Sequence, residues 1–299
     1  MKTIIPSDIS VTELHQLMLG AIAPRPIALA STIDREGKPN LSPFSFYNAF
    51  GVNPTTLIFS PSRRGRDNTV KNTYENVKEV PEVVINAVTY GMVQQVSLAS
   101  TEYPRGVNEF EKSGLSPLAS EIVKPFRVKE SPVQFECKVR QVIETGDQGG
   151  AANLVICEIL LIHVHPDVLN AQGKIDTRKM DLVGRMGADF YVRAAGDALF
   201  EVEKPLARLG IGVDNLPDKI RLSTMLTGND LGRLGNLESL PTSDEIEASR
   251  RNPYVSCIIS ENKNNELAQS ESLHRLAQQW IEAGKYKEAL SMLMLTVKQ

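Results

Sequence analysis

The sequence predicts a mainly β protein: a closed antiparallel barrel with flanking helices over residues 1–200, followed by a C-terminal linker and helical extension over residues 201–299. Three observations predict it. Up to about Phe200, apolar or alternating runs are separated by Gly, Pro and charged clusters, the pattern of strands and turns. Long strands with few helices between them favour a closed sheet, because closure removes exposed edges. Beyond about Glu201, apolar residues recur at helical spacing instead.

In order, residues 26–32 form a short apolar strand, and the charges, Gly37 and Pro39 of residues 33–39 make the turn of a hairpin. The returning strand, residues 40–50, places Ser42, Phe44, Phe46 and Asn48 on one side and Leu41, Pro43, Ser45 and Tyr47 on the other. Polar positions on both faces ask for a reason. Residues 55–60 and 82–88 read as buried strands, and residues 67–80 as a helix stopped by Pro81. Val133, Phe135, Cys137 and Val139 alternate with Gln134, Glu136, Lys138 and Arg140, so one side of that strand meets water. Residues 153–164 are apolar at nearly every position, which suits a strand covered on both faces.

In the extension, Thr242 and Glu245 form a capping-box pattern. Leu267, Leu273, Leu276, Ala277, Trp280 and Ile281 fall at helical spacing, and a second helix covers residues 286–297. This pair faintly resembles one tetratricopeptide unit, but one unit makes no solenoid. A helical cap on the barrel or a dimer partner is the reading it favours. The Gly- and polar-rich residues 222–236 read as a cover over the active site or, preferably, as a linker.

The composition is that of an ordinary globular protein: 41% hydrophobic, 23% charged, net charge -3. It points to no nucleic-acid partner. No apolar run reaches the ~18 residues of a membrane span and no secretory apolar core opens the chain, so a cytoplasmic protein without a membrane partner is expected. Cys137, Cys157 and Cys257 form no C-x-x-C pair, and the P-loop, Rossmann, nucleophile-elbow and zincin motifs are absent. His163, His165 and Asp167 suit either a metal site or, preferably, the polar rim of a strand end. No metal is expected.

The densest signal is residues 60–72. Arg63, Arg64 and Arg66 surround Gly65, and Asp67 or Asn68 caps a helix with Thr69 in its first turn. Free backbone N–H groups, guanidiniums and a hydroxyl make an anion cradle, a phosphate site without a P-loop.

Together with RPIALASTID (25–34), GKPNLSPFSFYNAF (37–50), Arg66, Asp67, Thr69 and Asn72, and VVINAV (83–88), this loop closely resembles the flavin reductase-like family. Weaker similarity runs on through residues 157–165 and 173–176 to Arg185 and Tyr191, so the resemblance covers about the first two thirds of the chain. It implies an FMN-binding split barrel and a homodimer with each flavin near the subunit interface. Ser31, Thr32, Ser45, Phe46, Tyr47 and Asn48 would border the isoalloxazine, largely through backbone groups. Ser60, Arg63, Arg66, Asp67, Thr69 and Asn72 would hold the ribityl and phosphate end, with the register open by one residue at the inserted Asn68. Arg185 and Tyr191 would approach the flavin or nicotinamide from the partner subunit, and Arg25 would serve either the site or the scaffold.

The implied activity is an FMN-dependent oxidoreductase that takes hydride from NADH or NADPH and passes electrons to free flavin or another acceptor. The flavin carries the chemistry, so no catalytic side chain is required. The alternative is an FMN-binding electron carrier or an interaction module with little turnover.

Overall fold

The hairpin at residues 28–44 sets the frame. Strand β1 (Ala28–Ile33) pairs antiparallel with β2 (Pro39–Phe44), and Gly37 takes φ +83° in the turn between them, a backbone region that favours glycine. Strands β3 (Tyr47–Val52) and β4 (Thr55–Phe59) form a second hairpin, and β5 (Glu82–Asn86) joins β1 on its other side. Two short strands, β6 (Pro117–Leu118) and β7 (Arg127–Val128), precede the long hairpin β8 (Val133–Glu144) and β9 (Asn153–Val164). A final pair, β10 (Leu182–Arg185) and β11 (Tyr191–Ala194), stands apart. Among these lie helices α1 (Val11–Ala21), α2 (Asn72–Glu79), α3 (Val93–Leu98), α4 (Glu109–Ser113) and α5 (Thr177–Met180). This computed structural model describes residues 1–205 and 208–297; residues 206, 207, 298 and 299 of the expected extension lie outside the described residues.

The expectation of a mainly β, closed-barrel protein is corrected here. Among the described residues helix accounts for 35% against 23% strand, and no sheet closes into a barrel. The main sheet has seven strands in the order β2-β1-β5-β8-β9-β4-β3, with the consecutive strands β2 and β3 at opposite edges. The expected single strand over residues 40–50 is therefore two strands, and the chain passes from one edge to the other through Ser45 and Phe46. A partly buried hydrogen-bond set holds that break: Arg25 Nε donates to Ser45 Oγ at 3.3 Å, and Ser60 N donates to Phe46 O at 2.9 Å. The β2 edge is guarded, because Leu41 N donates outward to the buried Glu109 carboxylate on α4 (3.0 Å). At the β3 edge, Phe50 and Val52 are 64% and 91% exposed.

Two other strand expectations change. Gln134 and Glu136, assigned to the wet side of β8, are buried. The covering segment binds them: Glu136 accepts from the backbone N–H groups of Glu121, Ile122 and Val123, and Gln134 donates to the Val128 and Ser131 carbonyls. Strand β9 is covered only in its first half, and Leu160 and Ile162 are exposed.

The core of the main sheet gathers Ala28, Ala30, Phe44, Leu57, Phe59, Val83, Ile85, Cys137 and Cys157. Helix α2 docks on β1 and β2 partly through polar groups. The Asn40 and Asn76 amides both donate to Thr32 Oγ1 at 3.2 Å, and Asn40 also donates to Thr73 Oγ1 at 2.9 Å.

The chain divides into two compact units, Met1–Phe200 and Glu201–Gln299. The second contains α6 (Asp218–Arg221), α7 (Gly228–Gly235), α8 (Ser243–Arg250), α9 (Pro253–Glu261), α10 (Glu266–Glu282) and α11 (Tyr286–Leu293) around its own core of Leu216, Ile220, Leu234, Leu273, Ile281 and Leu290. The Thr242–Glu245 capping box forms. Residues 222–236 are not a linker: Thr227 and Asp230 make a second capping box, and Leu226 and Leu234 enter the core. Among the described residues, no helix is long and apolar enough to cross a membrane.

Candidate functional site

The cationic loop leaves β4 at Ser60 and reaches α2 at Asn72. Sequence reasoning starts the helix at Asp67, but it begins five residues later, after an uncapped Lys71. Asp67 instead closes a tight turn: its Oδ1 accepts from the Thr69 backbone N–H at 3.1 Å and from the Thr69 hydroxyl at 2.6 Å. Those two bonds, the hydroxyl's first, and Arg66 hold the Asp67 carboxyl far below the usual range. Asn68 sits at φ +58°, where asparagine is tolerated.

The β8–β9 turn braces this loop. Arg63 N donates to Ala151 O (2.9 Å), Gly150 N donates to Arg63 O (3.1 Å), and the Asn68 amide donates to Asp147 O (2.8 Å). Asn153, fully buried, donates to Pro61 O at 3.0 Å. Gly149 passes so close that a Cβ there would lie 3.1 Å from the carbonyl oxygens of Arg64 and Gly65.

Charge is concentrated here. Glu102 accepts from Arg64 Nε (2.9 Å), Arg66 (3.0 Å) and Lys71 Nζ (3.2 Å), and these bonds, Arg64's and Lys71's foremost, hold its carboxyl down at about 2. Arg64 also donates to Thr69 Oγ1 at 2.9 Å and to the Val70 carbonyl. Its side chain is 17% exposed against 75% for Arg66, so Arg64 is the better-ordered cation of the pair. Arg63 donates to Asn68 Oδ1 at 2.7 Å and acts electrostatically on Glu144, which pairs with Lys78 and Tyr74. Within residues 60–72 four cations (Arg63, Arg64, Arg66, Lys71) stand against one carboxylate (Asp67), and Glu102, bonded to three of those cations, leaves two positive charges. A phosphate monoester carries about -1.5 to -2 at neutral pH, so the donor set and its charge fit the phosphate end of FMN.

Beyond the loop, Asn40, Ser42, Arg64, Lys71, Asn72 and Glu102 line a shallow cleft, and Ser100 borders both this cleft and a larger cavity of about 610 Å³. Ser45, Tyr90, Ser97, Arg185, Tyr191 and Arg193 stand on the wall of that cavity.

The structure thus brings Ser60, Arg63, Arg66, Asp67, Thr69 and Asn72 together in one loop. It groups Ser45, Arg185 and Tyr191 on one cavity. Ser31 and Thr32 stand elsewhere: both are fully buried, and β1 pairs with a strand on each side. Tyr47 turns its ring toward the core, where burial pushes the phenol up. Asn48 is exposed on β3 and accepts from Ala49 N, while Phe46 meets His15 edge-on. Arg25 is buried scaffold, donating to the carbonyls of Leu19, Ile22 and Met186. His163 Nε2 lies 2.7 Å from Glu136 Oε1, and no metal-holding cluster is found among the described residues. Sequence reasoning counts Arg64 in the cationic cradle without giving it a flavin contact, and passes over Lys71, Asn153 and Glu102. Lys71 lies inside the motif itself; Glu102, some thirty residues on, carries no local signal.

A model of the flavin reductase like domain matches residues 19–179, more than half of the chain. The chain belongs to that family. An uncharacterized protein of Aquifex aeolicus is 38% identical over 189 residues, which is 63% of this chain and 94% of the relative. Uncharacterized protein YwrF of Bacillus subtilis is 30% identical over 62% of this chain and 91% of its own length. Among solved structures, nitrilotriacetate monooxygenase component B from Bacillus cereus superposes with a TM-score of 0.63 at 26% identity, covering 68% of this chain and 98% of that one. A putative flavin reductase with split barrel domain from Shewanella frigidimarina gives 0.57 at 25% identity, over 66% of this chain and 95% of that one.

Proposed function

We propose that the Met1–Phe200 unit of this flavin reductase-like protein binds FMN and works as an NAD(P)H-dependent oxidoreductase, passing electrons to free flavin or another acceptor. The observation that carries the reading is the two-charge surplus of the 60–72 loop taken with Glu102, matched to a phosphate and braced from behind by the β8–β9 turn. When bound, FMN supplies the hydride and electron chemistry, so the protein needs no nucleophile or general base.

The chain's own groups bind and orient. Arg63, Arg64 and Lys71 meet the phosphate, the Thr69 hydroxyl turns its proton from Asp67 to it on binding, and Arg66 adds charge from solvent. The backbone at Ser45, Phe46 and Asn48 borders the ring, where the chain passes to the free edge of β3. The cavity beside Ser45 admits the electron donor or acceptor. In a homodimer, a partner would cover the exposed Phe50 and Val52 of that edge.

The test is a visible absorption spectrum of purified protein, before and after anaerobic NADH or NADPH. The expected result is an oxidised-flavin band that bleaches with at least one nucleotide. A colourless protein that fails to bind added FMN overturns the reading.

A further inference from the structure

Six arginines among the described residues are buried or half-buried: Arg25, Arg63, Arg64, Arg127, Arg185 and Arg221. Five of them donate at least one side-chain hydrogen bond. Arg185 donates none and joins no ion pair. Its guanidinium lies over the Tyr191 ring, 4.6 Å from the centroid, on the wall of the 610 Å³ cavity. A fork of five unused donors at a partly desolvated position is a ready receptor for an oxyanion.

Its surroundings reinforce this. Arg25 stands behind it with its own donors spent on carbonyls and Ser45, and it carries no carboxylate partner of its own. Burial first, and then the charge of Arg185, lower the Arg25 pKa, so the two guanidiniums sit within electrostatic reach without compensation. The other cavity arginine, Arg193, is not available: it forks Asp181 at 2.7 and 2.9 Å and lies over Tyr90. One carboxylate, Asp189, shares the wall but makes no ion pair with Arg185.

We propose that this cavity is a subsite for an anionic substrate, its oxyanion forked by Arg185. The binding stands on the cavity alone; its role as the electron-exchange subsite rests on the flavin reading above. The oxyanion has two sources, a carboxylate on an aromatic acceptor or the pyrophosphate of a nicotinamide dinucleotide.

Titration of the full-length protein by calorimetry, without turnover, separates them. Benzoate, benzamide and NAD+ are the probes, against wild type, Arg185→Met, which keeps the stem on Tyr191, and Asp189→Asn. At least one of benzoate and NAD+ is expected to bind wild type and to weaken roughly ten- to hundred-fold in Arg185→Met, as loss of a charge-assisted pair requires. Benzamide should bind weakly and equally to both proteins. Asp189→Asn should tighten the anionic probe, and this variant decides the matter if Arg185→Met does not fold. Sensitivity of benzoate alone assigns a carboxylate, and of NAD+ alone the pyrophosphate. If neither anion binds, or neither responds to Arg185 or Asp189, the proposal is overturned, whether or not flavin is bound.

Discussion

Arg64 and Arg66 are near neighbours with the same charge, yet their settings differ. Arg64 is mostly covered and tied to Glu102, Thr69 and Val70, so it arrives at a ligand already oriented. Arg66 is largely in solvent, where an ion pair contributes little. Arg64→Ala is therefore expected to raise the FMN dissociation constant roughly tenfold or more, and Arg66→Ala by only a few-fold, as followed by quenching of flavin fluorescence. Equal effects would contradict this ranking. Glu102 gives a pH signature. Its carboxyl titrates at about 2 when folded, below its ordinary value of 4.5, so its contribution to stability is complete above the ordinary value and fades as pH falls toward 2. Glu102→Gln should melt slightly below wild type at neutral pH, and the gap should shrink as the buffer is taken below pH 4.

At the scale of elements, the phosphate loop has little secondary structure of its own and borrows its shape from the β8–β9 turn. Asn153→Ala removes the bond to Pro61 O and leaves a buried carbonyl without its donor, a cost of ~1–3 kcal/mol. Gly149→Ala should loosen the loop differently, by pressing a methyl onto two backbone carbonyls. Both should lower FMN affinity, and amide exchange across residues 60–70 should rise; unchanged exchange in both would show that the brace is idle.

What the sequence discloses follows the same division. The hairpins and the capping boxes are local, so Gly37, Thr242 and Glu245 announce them. The break at Ser45 and Phe46 is silent, because the alternation continues through it while the chain changes edge. The start of α2 is misread because Asp67 and Thr69 satisfy each other in a turn that looks like a helix cap. Ser31 and Thr32 enter the expected site only through the family resemblance; in the structure both are buried, and Thr32 Oγ1 accepts from the amides of Asn40 and Asn76. Burial of Glu136 depends on a segment that folds back over it, which no strand pattern records.

For the whole molecule, each unit has its own core, and relatives matched along 91–94% of their length span only 62–63% of this chain. A chain ending at Phe200 is accordingly expected to be soluble and to bind FMN as tightly as the full protein; precipitation on expression would show that the second unit protects it. Within that second unit, Ile281→Ala should cost about 2–5 kcal/mol, since the side chain is almost fully enclosed. Its melting transition should shift while flavin binding holds.

The strand order also has a consequence for synthesis. The β3–β4 hairpin leaves the ribosome early, yet its inner neighbour is β9, with Phe59 opposite Val155. At ~5–20 residues per second, the roughly 100 intervening residues take about 5–20 seconds to be translated. For that interval the nascent hairpin offers both edges and the apolar side chains of Leu57 and Phe59 to whatever is nearby, making it the natural client of a chaperone waiting at the exit tunnel.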